Sequence, residues 1–132
     1  LREGIDRGDV AAFAVTLAPA GRLIGGVRLQ IDGENARGEL GFWVGRPFWG
    51  RGYATEAARA VIGYGFSVLN LHRIYAMHFS RNPASGRVME KCGMVHEGRF
   101  REHVRKWGVF EDVDLRGILR EYTTETLRVT PP

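Results

Sequence analysis

Between Gly38 and Leu69 the hydrophobic period changes once, and that change limits what the chain can fold into. Leu40, Phe42 and Val44 alternate with Glu39, Gly41 and Trp43, the period of a strand with two different faces. From Ala54 the small and apolar residues fall at Ala54, Ala57, Ala58, Val61, Ile62, Gly65 and Leu69, the spacing of one helical face over a helix from Gly52 to Leu69. Between the two lies Trp49-Gly50-Arg51-Gly52-Tyr53-Ala54, where absent or small side chains at 50, 52 and 54 let backbone approach a ligand. Exposed N–H groups at a helix start attract anions, and Arg46 and Arg51 add positive charge, so a phosphate or pyrophosphate suits the turn. A plain strand-to-helix turn, with glycines for geometry, fits the same residues. Neither GxxxxGK[ST] nor GxGxxG occurs, so a nucleoside-triphosphate loop and a Rossmann dinucleotide site are not indicated.

The rest of the chain arranges itself around that unit. Phe13, Val15 and Leu17 alternate up to the turn Pro19-Ala20-Gly21, and Leu23, Gly25, Val27, Leu29 and Ile31 give a second strand an apolar face. Asp32-Gly33-Glu34-Asn35 then connects to the strand at Arg37 to Val44, making three antiparallel strands in a row. After the helix, His72 to Phe79 is a strand, so strand, helix and strand form a parallel crossover. Its ligand would sit beyond the carboxyl end of the first strand, at the glycine turn. Asn82-Pro83 opens a second helix and Gly93 closes it. Met94 to Val104 and Phe110 to Arg120 read as two strands joined around Lys106-Trp107-Gly108, with Val113, Leu115 and Leu119 inward. The polar tail, residues 123–132, ends in Pro-Pro and is expected to be loose.

A chain of 132 residues buries one core, so residues 1–132 are expected to form a single domain. Hydrophobic content of 44% and charged content of 26% are those of a soluble globular protein. No apolar run of membrane-spanning length and no signal peptide is present, which points to a cytoplasmic protein without a membrane partner. The single Cys92 excludes an internal disulfide framework and a cysteine zinc cluster, and its apolar helical position suits an inert thiol. A net charge of +4 permits a polyanionic ligand, but the basic residues are scattered and no aromatic-basic RNA-recognition motif occurs, so nucleic acid is not the expected partner.

Trp49 to Ala54 resembles the phosphate-binding signature Q/R-x-x-G-x-G/A of the GNAT superfamily of acyl-CoA-dependent N-acetyltransferases. Gly52 and Ala54 match its last two positions, and Trp49 stands at the first. The wording from Phe48 to Ala57 is similar to the Rim-type branch, the ribosomal-protein N-terminal acetyltransferases and their relatives. Asn82-Pro83-Ala84-Ser85, the run from Met89 to Gly98, and Gly108, Asp112, Leu119, Glu121 and Tyr122 are similar to later blocks of that branch in the same order. The resemblance, from about Ala12 to Tyr122, implies an α/β (α+β) fold: a mixed, mostly antiparallel sheet with a central parallel crossover whose strands splay apart, and helices on both faces. Members usually carry a first strand and one or two helices ahead of this region, so the resemblance implies that this element is missing or that the chain is a fragment.

What the resemblance implies for chemistry can be assigned position by position. Acetyl-CoA, without a metal, would be held by Trp43, Val44, Gly50, Arg51, Gly52, Tyr53, Ala54, Thr55, Asn82, Ser85 and Arg87, with a backbone N–H near Trp43 or Val44 as the oxyanion donor. The tyrosine that many members use as proton donor corresponds to Met89, which cannot donate, so Ser85 takes that role. The branch's usual basic glutamate corresponds to Val104. Glu39 is the first candidate for a base, Glu102 the second, two residues from Val104 on the same strand face, and a reaction with no dedicated base the third. Glu39 paired with a neighbouring arginine is the plain structural alternative. The expected activity is acetyl transfer to a primary amine, a protein N-terminus, within a ternary complex; pairing of two copies is common in the branch. The alternatives are a small-amine acetyltransferase, for a polyamine or aminoglycoside, and a catalytically weak acyl-CoA-binding module.

Overall fold

The computed structural model describes residues 10–121, so Tyr122 and the tail lie outside the described residues. Strands β1 (Val10–Leu17), β2 (Arg22–Asp32) and β3 (Arg37–Val44) form the expected antiparallel run. Helix α1 (Tyr53–Ser67) leads to β4 (Arg73–Phe79), and α2 (Pro83–Lys91) leads to β5 (Val95–Lys106) and β6 (Val109–Leu119). The six strands lie in the order β1-β2-β3-β4-β6-β5, antiparallel except for the β3–β4 crossover. No described helix is long and apolar enough to cross a membrane.

The parallel contact between β3 and β4 is short. It covers Arg37–Arg73, Gly38–Ile74 and Glu39–Tyr75 and then stops, although both strands continue for several residues. Past Glu39 the strands diverge, and each loses ladder partners on the side facing the gap.

Both described helices pack on one face of the sheet, which differs from the expected placement on both faces. Gly65 of α1 lies against Ile74, and Gly86 of α2 against the ring of His78; Ile74 and His78 point to the same side of β4. Two right-handed crossovers that both advance across the sheet in one direction put their helices on the same side. Arg59 also donates to the carbonyl of Lys91 at 2.8 Å, and the Cys92 thiol reaches the carbonyl of Thr55 at 3.7 Å, tying α1 to α2. Burial raises the Cys92 thiol pKa, with Arg59 acting weakly the other way.

Leu29, Leu40, Ala58, Val61, Ile62, Ile74, Ala76 and Met89 form the core between this face and the helices. On β2 and on β6, residues expected to face inward take other positions. The β1–β2 register jumps so that Ile24 has no partner, and past this bulge Ile24 is buried while Leu23 is 61% exposed. On β6 the expected inward set Val113, Leu115 and Leu119 pairs with Phe79, Met77 and Arg73 and so takes the face away from the helices, where Val113 is buried and Leu119 exposed, while Ile118, the partner of Ile74, packs on the core.

Candidate active site

The gap between β3 and β4 opens into a cleft of about 720 Å³. Its walls include Glu39, Leu40, Gly41, Phe42 and Trp43 of β3, Met77, His78 and Phe79 of β4, and Asn82, Ser85 and Met89 from α2 and its cap. Of the residues expected from sequence, Glu39, Trp43, Asn82 and Ser85 thus share one cavity. Val44, the 50–55 turn, Arg87 and Glu102 are not among its walls. Val44 and the turn follow directly along the chain at the carboxyl end of β3, whereas Arg87 is exposed on α2.

The free donors in the gap follow from strand geometry. Gly45 donates to the carbonyl of Ile24 in β2 at 2.8 Å, and N–H groups alternate sides along a strand. Val44 and Phe42 therefore aim their N–H groups into the opening, and Trp43 aims its own at β2. The carbonyl of Val44, on the same side as its N–H, accepts the indole N–H of Trp49 at 2.6 Å.

The turn after β3 ends in an uncapped helix. Gly50 and Gly52 have φ of 78° and 80°, a left-handed conformation that favours glycine, and no atom lies within 4 Å of where a side chain would begin at either. Gly52 is the N-cap of α1 and supplies no side-chain cap; the first intrahelical bond is Glu56 N–H to the Gly52 carbonyl, so the N–H groups of the first turn have no acceptor within the helix. Open volume, bare donors and the positive end of a 15-residue helix suit a phosphate group.

Across the cleft the start of α2 is organised by Asn82. Its side-chain oxygen accepts the Ser85 N–H at 3.4 Å, and its side-chain NH2 donates to the Ser85 hydroxyl oxygen at 3.3 Å. The serine proton is thereby left free to be donated. The preceding turn is fastened to β6: Ser80 N–H donates to the Asp112 carbonyl at 2.9 Å, Ser80 Oγ to Asp114 at 2.6 Å, and Arg81 to Glu111 at 2.9 Å. Asp114 is 6% exposed and also takes Arg99 at 2.8 Å; the Arg99 and Ser80 hydrogen bonds hold its pKa well below the usual carboxylate range.

The two candidate bases are placed differently. Glu39 lines the cleft at the last β3–β4 pair and forms no hydrogen bond or ion pair among the described residues, so the expected arginine partner is not taken: Arg37 binds Asp32 and Arg73 binds Glu97. Its carboxylate raises the pKa of Tyr75 opposite, after the larger effect of burial. Glu102 is exposed, outside the cleft, and sits at φ 48° in a bulge between Phe100 and Val104, where its N–H donates to Asp112 at 2.7 Å. The bulge interrupts the regular alternation between Phe100 and Val104, and Val104 lines the cleft while Glu102 does not.

Two ionisable wall residues, His78 and Arg28, have no counterpart among the sequence candidates. His78 is 8% exposed, with Nδ1 2.8 Å from the Phe79 carbonyl and Nε2 3.4 Å from Arg116 Nε, contacts compatible with a neutral ring that donates from Nδ1 and accepts at Nε2. In sequence it alternates with Ile74 and Ala76 and looks like a core position. Arg28, on an exposed strand position, looks like any solvated cation until Gly41 is seen beside it.

Comparison with known proteins agrees with this geometry. Residues 2–95 match the acetyltransferase (GNAT) domain family. The chain is 38% identical over 120 residues to a probable N-acetyltransferase, YjcK, of Bacillus subtilis, covering 89% of this chain and 66% of that protein. It spans about two thirds of the length of the curated relatives it matches. The spermidine N-acetyltransferase of Vibrio cholerae, solved with CoA and spermine, superposes with a TM-score of 0.80 at 30% identity, over 89% of this chain and 69% of that one. The ribosomal-protein-S5-alanine acetyltransferase of Vibrio fischeri superposes with a TM-score of 0.84 at 25% identity, over 91% and 67%. With its crossover, its split strands and its glycine-rich helix start all in that family's order, the chain belongs to the GNAT acetyltransferase family.

Proposed function

We propose that this chain transfers an acetyl group from acetyl-CoA to a primary amine, the N-terminus of a polypeptide, by direct transfer in a ternary complex. The observation that carries it is the split between β3 and β4, whose cleft brings Glu39 of one strand together with Asn82 and Ser85 across the gap, with the uncapped N-terminus of α1 following along the chain from the end of β3. Bound there, acetyl-CoA supplies an activated thioester carbonyl. The N–H groups of Gly52 to Thr55, with Arg51, hold its phosphates, and Arg87 reaches toward the nucleotide end. Val44 and Phe42 direct N–H donors at the charge developing on the carbonyl oxygen. Ser85, steadied by Asn82, donates a hydrogen bond to the departing thiolate and passes a proton to it while regaining one from water, and Glu39 takes the amine proton, directly or through a water. Glu102 has no part in this.

A peptide acceptor is favoured over a polyamine because, among the described residues, Glu39 is the one carboxylate of the cleft walls, whereas a polyamine brings several positive charges. Similarity of the 48–57 and 82–98 blocks to the Rim-type branch supports the same choice. The spermidine enzyme among the structural neighbours keeps polyamine transfer as the competing outcome.

The test is acetyl-CoA calorimetry on the wild type, Gly52→Asp and Gly52→Asn, followed by an acceptor panel of peptides and spermidine. Asp and Asn strain the turn alike, so binding lost with Asp and kept with Asn isolates the charge clash with phosphate. Absence of binding by the wild type overturns the cofactor, and transfer to spermidine but to no peptide overturns the acceptor.

A further inference from the structure

On the sheet face away from the helices, Arg28 of β2 stands opposite Gly41 of β3. The positions of β3 on that face are Arg37, Glu39, Gly41 and Trp43, and only Gly41 lacks a side chain. Arg28 fills the vacancy: a side chain beginning at Gly41 would meet Arg28 Nε at 3.3 Å and its Cγ and Cζ at 3.6 Å. The guanidinium therefore lies flat across β3, over the strand edge that bounds the cleft, and Arg28 is one of the cleft walls.

Among the described residues this cation has no ion-pair partner. The acidic residues near the sheet are engaged elsewhere: Asp32 with Arg37, Glu97 with Arg73, Glu111 with Arg81, and Asp114 with Arg99 and His96. Glu39, one step along the same face of β3 and roughly 7 Å from Gly41 along the strand, does not close on it either. Among the described residues, one wall of the cleft thus presents a carboxylate and a guanidinium without ion-pair partners at neighbouring positions of the sheet face away from the helices.

We propose that Arg28 is an anion-binding subsite for the acceptor. With the amine at Glu39, Arg28 meets a negative group close behind it, so the acceptor class is a polypeptide with an acidic residue in its first few positions. A polyamine would place a positive charge against Arg28 instead. This rests on the acetyltransferase reading above and narrows its acceptor.

The test compares bisubstrate adducts in which CoA is joined through an acetyl linker to the N-terminus of a short peptide carrying Asp, Lys or Gln at its second and third positions; their binding needs no turnover. The wild type should bind the Asp adduct at least about tenfold more tightly than the Lys adduct, a modest value for one partly exposed charge contact. Arg28→Glu should reverse the order, and Arg28→Gln should abolish it with the Gln adduct unchanged. In a peptide acetylation assay the same preference should appear in kcat/KM. Equal binding of the three adducts, or an order that survives Arg28→Glu, overturns the subsite while leaving the acetyltransferase intact. Failure of CoA and every adduct to bind overturns the acetyltransferase reading itself, and the subsite with it.

Discussion

The indole of Trp49 donates to the carbonyl of Val44 at 2.6 Å, and this bond closes the turn between β3 and α1 on itself. Trp49 holds the position where the superfamily signature has Gln or Arg, and Arg46 rests over its ring at 5.4 Å. Trp49→Phe keeps the ring and removes the bond. Acetyl-CoA affinity should fall about fivefold, the worth of roughly 1 kcal/mol for one neutral hydrogen bond, in calorimetry, with the far-UV spectrum unchanged.

Ser85 and Asn82 should separate in their effects. Ser85→Ala should lower kcat by about 100-fold, the lower range for a general acid, with little change in the KM for acetyl-CoA. Asn82→Ala should lower kcat as well and also cost about 1 kcal/mol of stability as the α2 cap is lost, visible in urea unfolding. Equal kcat for Ser85→Ala and the wild type would remove the serine from the mechanism.

Gly63 and Gly65 stand two positions apart in α1 with opposite surroundings. Nothing lies within 4 Å of a side chain begun at Gly63, whereas one at Gly65 would meet Ile74 at 2.8 Å and Leu29 at 3.2 Å. Gly63→Ala should stabilise by about 0.5–1 kcal/mol through helix propensity. Gly65→Ala gains the same propensity but overfills the core, at about 1–3 kcal/mol, so it should destabilise. Thermal unfolding of both variants checks the signs.

Asp114 gives the fold an acid limit. Its pKa is lowered in the folded state, chiefly by the hydrogen bonds from Arg99 and Ser80, so its contribution is present above the unfolded carboxylate pKa of about 3.9 and fades as pH falls toward the lower folded value. Wild-type stability should therefore decline below about pH 4, and Asp114→Asn should lower stability at pH 7 by about 1–3 kcal/mol while flattening that decline. Urea midpoints at pH 7 and across the acid range measure both.

Much of the fold was legible because alternation and helical spacing are direct records of burial. β3, α1, β4 and α2 fall within one or two residues of their expected bounds for that reason. The departures have local causes that alternation cannot carry. Bulges at Ile24 and between Phe100 and Val104 interrupt the alternation, so Leu23 turned outward and Glu102 lies outside the cleft that Val104 lines. The side on which helices pack depends on crossover handedness summed over the whole sheet. At the site, Asn82 was visible as a helix start and Ser85 through the resemblance of the Asn82-Pro83-Ala84-Ser85 block, whereas Arg28 and His78 gain meaning only from Gly41, Gly86 and Arg116, which are distant in sequence.

The three-position seam between β3 and β4 makes the sheet resemble two leaves bound along a short spine. Across that seam the leaves are joined by α1, by its ties to α2 and by the core beneath them rather than by a long ladder. A long, thin ligand lodged in the split acts as a clasp, supplying the missing rungs to both edges at once. Its binding should therefore slow amide exchange in β3 and β4 together, and the protein should melt as one piece at a temperature set by ligand concentration.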